Sequence, residues 1–237
     1  MCDFLRITLP VFGFGALAFW WAGRRVSPGV RRARWIKFAI YVVIVHAFLA
    51  AALAGRSAIT MLIALIAAAG VFEIASAGRR IRRQVAFAVF SVFAAIAACA
   101  LAFAASAPPK RVAFLYLVVA AFDGFSQAGG QIAGRRRLAP AISPGKTVEG
   151  FLIGVAGAIV CALLLRGAVS LSQTSATLVA LFASVAGVGG DLAASWVKRR
   201  AGLKDYGTFV PGHGGVLDRF DSFMAVAAAA FVTNLFR

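Results

Sequence analysis

The sequence predicts an all-α, polytopic transmembrane helix bundle of about eight spans, and three observations carry that expectation. Of the 237 residues, 62% are hydrophobic, against roughly 45–50% in an ordinary soluble domain. The excess is gathered into nearly uncharged stretches of about 17–22 residues, the length that crosses about 30 Å of hydrocarbon as a helix. The remaining charges, with a net of +17, fall mainly between those stretches. Inside hydrocarbon a segment must satisfy its own backbone polar groups, so each stretch is expected to be helical.

In chain order the expected spans are 7–23, 36–54, 57–77, 85–105, 112–129, 150–166, 176–196 and 216–236. The first is kept as a helix because Asp3 stands beside Arg6 ahead of it, where a cleavable signal carries a purely cationic lead. The connections alternate in charge. Arg24, Arg25, Arg31, Arg32 and Arg34 lie in the first, Arg79, Arg80, Arg82 and Arg83 in the third, Arg135, Arg136, Arg137 and Lys146 in the fifth, and Lys198, Arg199, Arg200 and Lys204 in the last. The connections between them hold far fewer cations, so the positive-inside rule puts the basic loops in the cytoplasm and both termini outside. Pro108-Pro109 marks an outer turn, and Pro140 with Pro144 a longer inner one. Gly150, Gly154 and Gly157 share one helix face, a pattern that lets helices approach closely.

In a soluble protein the charge of +17 would suggest nucleic acid. Here membrane topology accounts for it, together with attraction to anionic lipid and anionic substrates, and no nucleic-acid partner is expected. Cys2, Cys99 and Cys161 show no C-x-x-C spacing, which argues against a zinc site and a disulfide framework.

Only eight residues are acidic. Asp3 and Glu73 lie in the N-terminal half; the others are Asp123, Glu149, Asp191, Asp205, Asp218 and Asp221. A carboxylate at membrane depth costs at least about 2.5 kcal/mol and needs a partner or a wet cavity. One such acid is as readily a structural ion pair as a functional group. Four of them in or at the cytoplasmic ends of expected helices point to a cation site, and oxygen ligands without His or Cys clusters suit Mg²⁺. Asp218 and Asp221 are neighbours on one helix face, and Asp191, Ser195 and Lys198 form an i, i+4, i+7 stripe on another. Asp123 and Gln127 share a third helix. Between the last two expected spans lies 204-KDYGTFVPGHGG-215, flanked by Lys198, Arg199 and Arg219. Taken alone it is an inter-helix turn. With these cations and His213 it suits a polyphosphate bound with a metal. His46, alone in an apolar helix, is expected to pack or to hydrogen-bond.

The run 195-SWVKRRAGLKDYGTFVPGHGGVLDRFD-221 resembles the signature of the phosphatidate cytidylyltransferase family at Ser195, Lys198, Arg199, Lys204, Asp205, Pro211, His213, Gly214, Gly215, Asp218, Arg219 and Asp221. A second stretch, 138-LAPAISPGKTVEG-150, resembles the upstream motif of that family at Ser143, Pro144, Lys146, Thr147, Glu149 and Gly150. Ala194 stands where relatives often carry an acid, and GFSQAGGQIAGRRR after Asp123 lacks a tyrosine that many members have. The resemblance implies an enzyme that transfers a cytidylyl group from CTP to phosphatidate, giving CDP-diacylglycerol and pyrophosphate. It implies Mg²⁺, with a second cation as an option, on Asp191, Asp218 and Asp221, with Asp123 as an additional candidate. Lys198 and Arg219 join those acids as catalytic candidates. Ser143, Lys146, Thr147, Ser195, Arg199, Lys204, His213, Gly214 and Gly215 are the substrate-binding candidates. Residues 1–110 are then accessory, dimer-forming or lipid-facing helices, and residues 111–237 the catalytic region, with its site on the cytoplasmic side. A homodimer is expected from the resemblance alone. The competing readings are a CTP-dependent lipid kinase of the polyprenol or dolichol kinase type, a catalytically silent lipid-binding homologue, and an ion-coupled transporter.

Overall fold

The structure, a computed structural model, describes residues 27–207, 209 and 214–236, together with Phe4, Thr8, Leu9, Pro10, Phe12, Gly13, Ala16 and Trp20. Most of the expected 7–23 span, Arg24, Arg25, Cys2, Asp3 and His213 therefore lie outside the described residues. Seven α-helices have described bounds: α1 (Pro28–Ala54), α2 (Arg56–Gly78), α3 (Arg83–Ser106), α4 (Pro109–Ala133), α5 (Val148–Leu165), α6 (Gln173–Arg200) and α7 (Leu217–Val232). Six of them, all but α7, are long and apolar enough to cross a membrane. The chain is a multi-pass membrane protein. The last expected span is a helix of 16 residues, and much of its length is covered by other helices rather than open to lipid.

Local chemistry sets the breaks. Gly55, at φ 116°, separates α1 from α2 in a conformation closed to most side chains. Pro109 starts α4, where its missing N–H is no loss. Ser172 caps α6 by accepting the Ser175 N–H at 3.0 Å. At the other end of α6, Gly202 takes φ 68° and the Leu203 N–H returns to the Lys198 carbonyl at 2.8 Å, a glycine-ended helix terminus. Several helices run past the expected apolar stretches. Charged residues at 28–35 and 197–200 continue the helical turns, because a charge ends the hydrophobic run without breaking the backbone pattern. The inner connection before α5 is also more ordered than a loop. Arg137–Ala139 (β1) pairs antiparallel with Ser143–Thr147 (β2), with Arg137 opposite Thr147 and Ala139 opposite Ser143.

Helix α4 is the centre of the bundle. Val112 to Val119 are all buried, so every face of that stretch is covered. The glycine face of α5 packs on it. A Cβ on Gly154 would overlap Ser126 Oγ and lie 2.9 Å from the Phe122 carbonyl oxygen, and one on Gly157 would overlap the Phe125 ring. Phe48 of α1 stacks on Tyr116 of α4 with ring centroids 3.8 Å apart and meets Phe223 of α7 edge-on at 5.1 Å. One buried core therefore runs through the N-terminal and C-terminal halves.

Two sets of contacts define the ends of the bundle. At one end Arg199 of α6 donates to the Ile142 carbonyl at the hairpin, and Glu73 of α2 accepts from Val216 ahead of α7. The basic segments 79–83, 135–137 and 198–204 gather there. At the other end Arg111 donates to the Phe236 carbonyl at 2.6 Å and lies over the Phe236 ring.

The α4–α5 contact yields a stability prediction. Gly154→Leu is expected to lower the melting temperature of the detergent-purified protein, by an amount equivalent to at least about 1–3 kcal/mol of overpacking. Gly189→Ala, where a Cβ meets nothing within 4 Å, is expected to leave it unchanged or slightly raised.

Candidate functional site

The site is assembled from α4, α6, α7, the β1–β2 hairpin and the connection between α6 and α7. On α6 the expected stripe holds: the Ser195 hydroxyl donates to Asp191 Oδ1 at 3.3 Å. Lys198, one turn further, sends its ammonium across to Asp218 Oδ1 at 2.7 Å, with the two side chains only 9% and 1% exposed. Asp218 Oδ2 accepts the N–H groups of Tyr206 and Gly215, each at 2.8 Å. Three bonds from cationic or backbone donors thus hold one carboxylate, and such charge-assisted bonds are the strong class. They bring Tyr206 and Gly215 of the α6–α7 connection to the same carboxylate. Gly214 takes φ 85° in that connection, and a Cβ there would come within 2.7 Å of Asp218 Oδ2. Tyr206 is buried in the same turn and donates its phenol O–H to the Ala194 carbonyl at 3.1 Å. Burial, followed by the nearby Asp221, Asp218 and Glu73, raises its pKa, so the phenol stays protonated and keeps that bond.

A second group of acids meets beside this turn. Asp123 of α4, Asp191 of α6 and Asp221 of α7 lie close enough for their charges to interact. Asp123 Oδ1 accepts the Ser222 hydroxyl at 3.4 Å, and Asp221 Oδ1 accepts the Ser222 N–H at 2.8 Å. Asp191 is ion-paired with Lys146, which the hairpin supplies. The motif around Lys146 explains how the hairpin is held. Thr147 caps α5 by accepting the Gly150 N–H at 3.1 Å, a bond that removes one unsatisfied donor of the first turn. Glu149 accepts the N–H groups of Arg135 and Arg136 at 3.0 and 3.1 Å. Arg199 donates to the Ile142 carbonyl at 3.3 Å and to that of Leu203 at 2.9 Å.

The structure thus brings Asp123, Asp191, Asp221, Lys146 and Ser195 together and pairs Asp218 with Lys198 in a different setting. The expected metal set placed Asp218 beside Asp191 and Asp221, but both Asp218 oxygens already serve Lys198 and the turn. Gly215, a substrate-binding candidate, likewise has its N–H committed to Asp218. Thr147 acts as a helix cap, and Arg199 bonds backbone carbonyls. Ser143 lies in β2 with its side chain half-buried, and Lys204 and Arg219 are exposed, with no ion pair to either cation among the described residues. Among the described residues no group of three or more His, Cys, Asp and Glu side chains is arranged to hold a metal ion. The oxygen-only chemistry of Asp123, Asp191 and Asp221 does fit a hard cation, and the Lys146 ammonium already provides positive charge at Asp191. His46 Nδ1 bonds the Val42 carbonyl at 2.8 Å inside its own helix, as expected of a packing residue.

Two residues of the site escaped sequence reasoning. Ser222 carries no motif signal. Glu73 sits alone in the N-terminal half, yet its carboxylate is buried and bonds the Val216 and Leu217 N–H groups at 2.8 Å each. The cost of an acid in an apolar helix was the signal that could have found it. An apolar groove of about 560 Å³ runs alongside, between α2–α3 and α6–α7, lined by Phe93, Trp196 and Met224, with Asp221 and Tyr206 also in its wall.

The Lys198–Asp218 pair yields the second prediction. Lys198→Met is expected to strand a buried carboxylate and to destabilise the protein by about 3–5 kcal/mol, read as a drop in melting temperature in detergent. Lys204→Met, at an exposed position, is expected to leave it nearly unchanged.

Comparison with known proteins points the same way as the signature. The sequence profile of the cytidylyltransferase family matches residues 109–236. A phosphatidate cytidylyltransferase of Staphylococcus epidermidis is 41% identical over 119 residues, 49% of this chain and 46% of that protein. One of Brucella abortus is 41% identical over 122 residues, 51% of this chain and 45% of that protein. The chain spans about half the length of the curated relatives it matches.

Proposed function

The chain belongs to the cytidylyltransferase family, and on that footing we propose that it transfers the cytidylyl group of CTP to phosphatidate, releasing pyrophosphate and forming CDP-diacylglycerol. One observation carries this reading. Asp221 is shared between the carboxylate–lysine cluster and the wall of the apolar groove. A substrate with acyl chains in the groove would present a polar head to the cluster, as phosphatidate requires.

A phosphate oxygen of phosphatidate attacks the α-phosphorus of CTP, a new P–O bond forms, the bond to the β-phosphate oxygen breaks, and pyrophosphate leaves. The attacking group is already anionic near neutral pH, since the second phosphate pKa is about 6. A strong general base is therefore unnecessary; the difficulty is bringing anions together. Lys146, Lys204 and Arg219 are the cations assigned to the phosphates, with Ser143, Ser195 and Gly214 assigned to substrate beside them. Lys198 and Asp218 hold the turn that presents Arg219. Asp123, Asp191 and Asp221 are the residues assigned to Mg²⁺, which when bound would neutralise charge on the polyphosphate. In this assignment Lys146 is released from Asp191 to a substrate phosphate. The basic end of the bundle is assigned to the cytoplasm by the positive-inside rule, which puts the site where CTP is found.

A lipid kinase would instead cleave the bond to the γ-phosphate and release CDP. Purified protein given labelled CTP, phosphatidate and Mg²⁺ is expected to yield labelled CDP-diacylglycerol and free pyrophosphate. CDP with a newly phosphorylated lipid would overturn the assignment. Asp221→Asn and Asp191→Asn are each expected to lower the rate by on the order of a hundredfold or more, with the protein still inserted and folded. Full activity in either variant would remove these acids from the mechanism.

A further inference from the structure

Glu73 lies on α2, outside the segment matched by the family profile. Its side chain is buried, and no Lys, Arg or His side chain among the described residues forms an ion pair with it. A buried carboxylate needs compensation, and here it comes from backbone: Oε1 accepts the Val216 N–H and Oε2 the Leu217 N–H, each at 2.8 Å. Both amides stand at the start of α7, where N–H groups have no acceptor within the helix and a negative charge is favoured. The glycines of the connection make room for this side chain. A Cβ on Gly215 would overlap the Glu73 carboxylate, and one on Gly207 would lie 3.4 Å from Oε1. Asp218 holds the Tyr206 and Gly215 N–H groups from the other side. Two carboxylates, one from each half of the chain, therefore fasten both ends of the segment 206–217.

We infer that Glu73 is a positioning residue for nucleotide binding: from the N-terminal helices it fixes the backbone at the start of α7, and with it the aim of Arg219, and of Lys204 across the Asp218 contacts, at the CTP phosphates. The inference rests on the reading that this segment receives CTP. A residue that only supported the fold would reduce the amount of active protein without changing its selectivity between substrates. A residue that aims the nucleotide segment changes the CTP dependence alone.

Two measurements on the full-length protein in detergent separate the possibilities. The first is amide hydrogen exchange without substrate. Glu73→Ala, and to a smaller extent Glu73→Gln with one acceptor oxygen left, is expected to speed exchange at Val216 and Leu217 at least tenfold, with α4 and α5 unchanged. The second is steady-state kinetics. The KM for CTP is expected to rise on the order of tenfold in Glu73→Gln, while the KM for phosphatidate stays within about twofold. If Glu73→Ala fails to fold, Glu73→Gln carries both readouts. Unchanged exchange at both amides would overturn the tether, and an unchanged or equally shifted pair of KM values would overturn the positioning role. Wild-type protein that makes no CDP-diacylglycerol, but whose variants still show the faster exchange, would sink the proposed reaction and leave the tether standing.

Discussion

The geometry of the site depends on one buried ion pair, Lys198 with Asp218. It is an expensive interaction: both groups leave water, and their attraction repays this only when the remaining donors and acceptors are also satisfied. Here they are satisfied. The second Asp218 oxygen takes two backbone amides, and the Lys198 ammonium also lies 5.1 Å from the Tyr206 ring centre. The pair therefore fixes more than two side chains. It sets the end of α6 against the first turn of α7, and so whether Asp191 and Asp221 face the same space.

The other requirement is that a hairpin outside the apolar spans be delivered to α6. The glycine face of α5 makes this possible. With no side chains at Gly150 and Gly154, α5 lies directly against Ser126 and Phe122 of α4, and the hairpin that leads into α5 is drawn over the end of α4. Thr147 and Glu149 then lock the start of the helix, and Lys146 reaches Asp191. A motif that reads along the chain as a phosphate-binding loop works first as a helix start. Its lysine is the one group in it aimed at the acids.

Much of the architecture was legible in the order of residues. Stretches of apolar residues located most helices, since a helix in hydrocarbon needs little beyond length and the absence of charge. The helix ends were less legible, because they are set by caps and glycines rather than by hydropathy; α6 runs to Arg200, past the apolar stretch expected to end at 196, and Gly202 stops it. The hairpin was missed because its short strands carry Pro, Gly and Lys and no alternating pattern. For the site, the stripe of Asp191, Ser195 and Lys198 was readable, since helical spacing fixes which side chains share a face.

By itself the sequence determined a many-helix membrane protein with its acids concentrated in the C-terminal half and a signature of cations, carboxylates and glycines around residues 195–221. Those properties follow from local chemistry: hydrophobic length, helical period and residue type. Only the tertiary structure decided which carboxylate does what. Asp218 and Asp221 are one helical turn apart, yet one is used up by Lys198 and two amides while the other faces Asp123 and Asp191. Glu73 is more than a hundred residues from the connection it holds. The choice turns on donors brought from other helices, and spacing along a chain carries no record of those donors until the helices are packed.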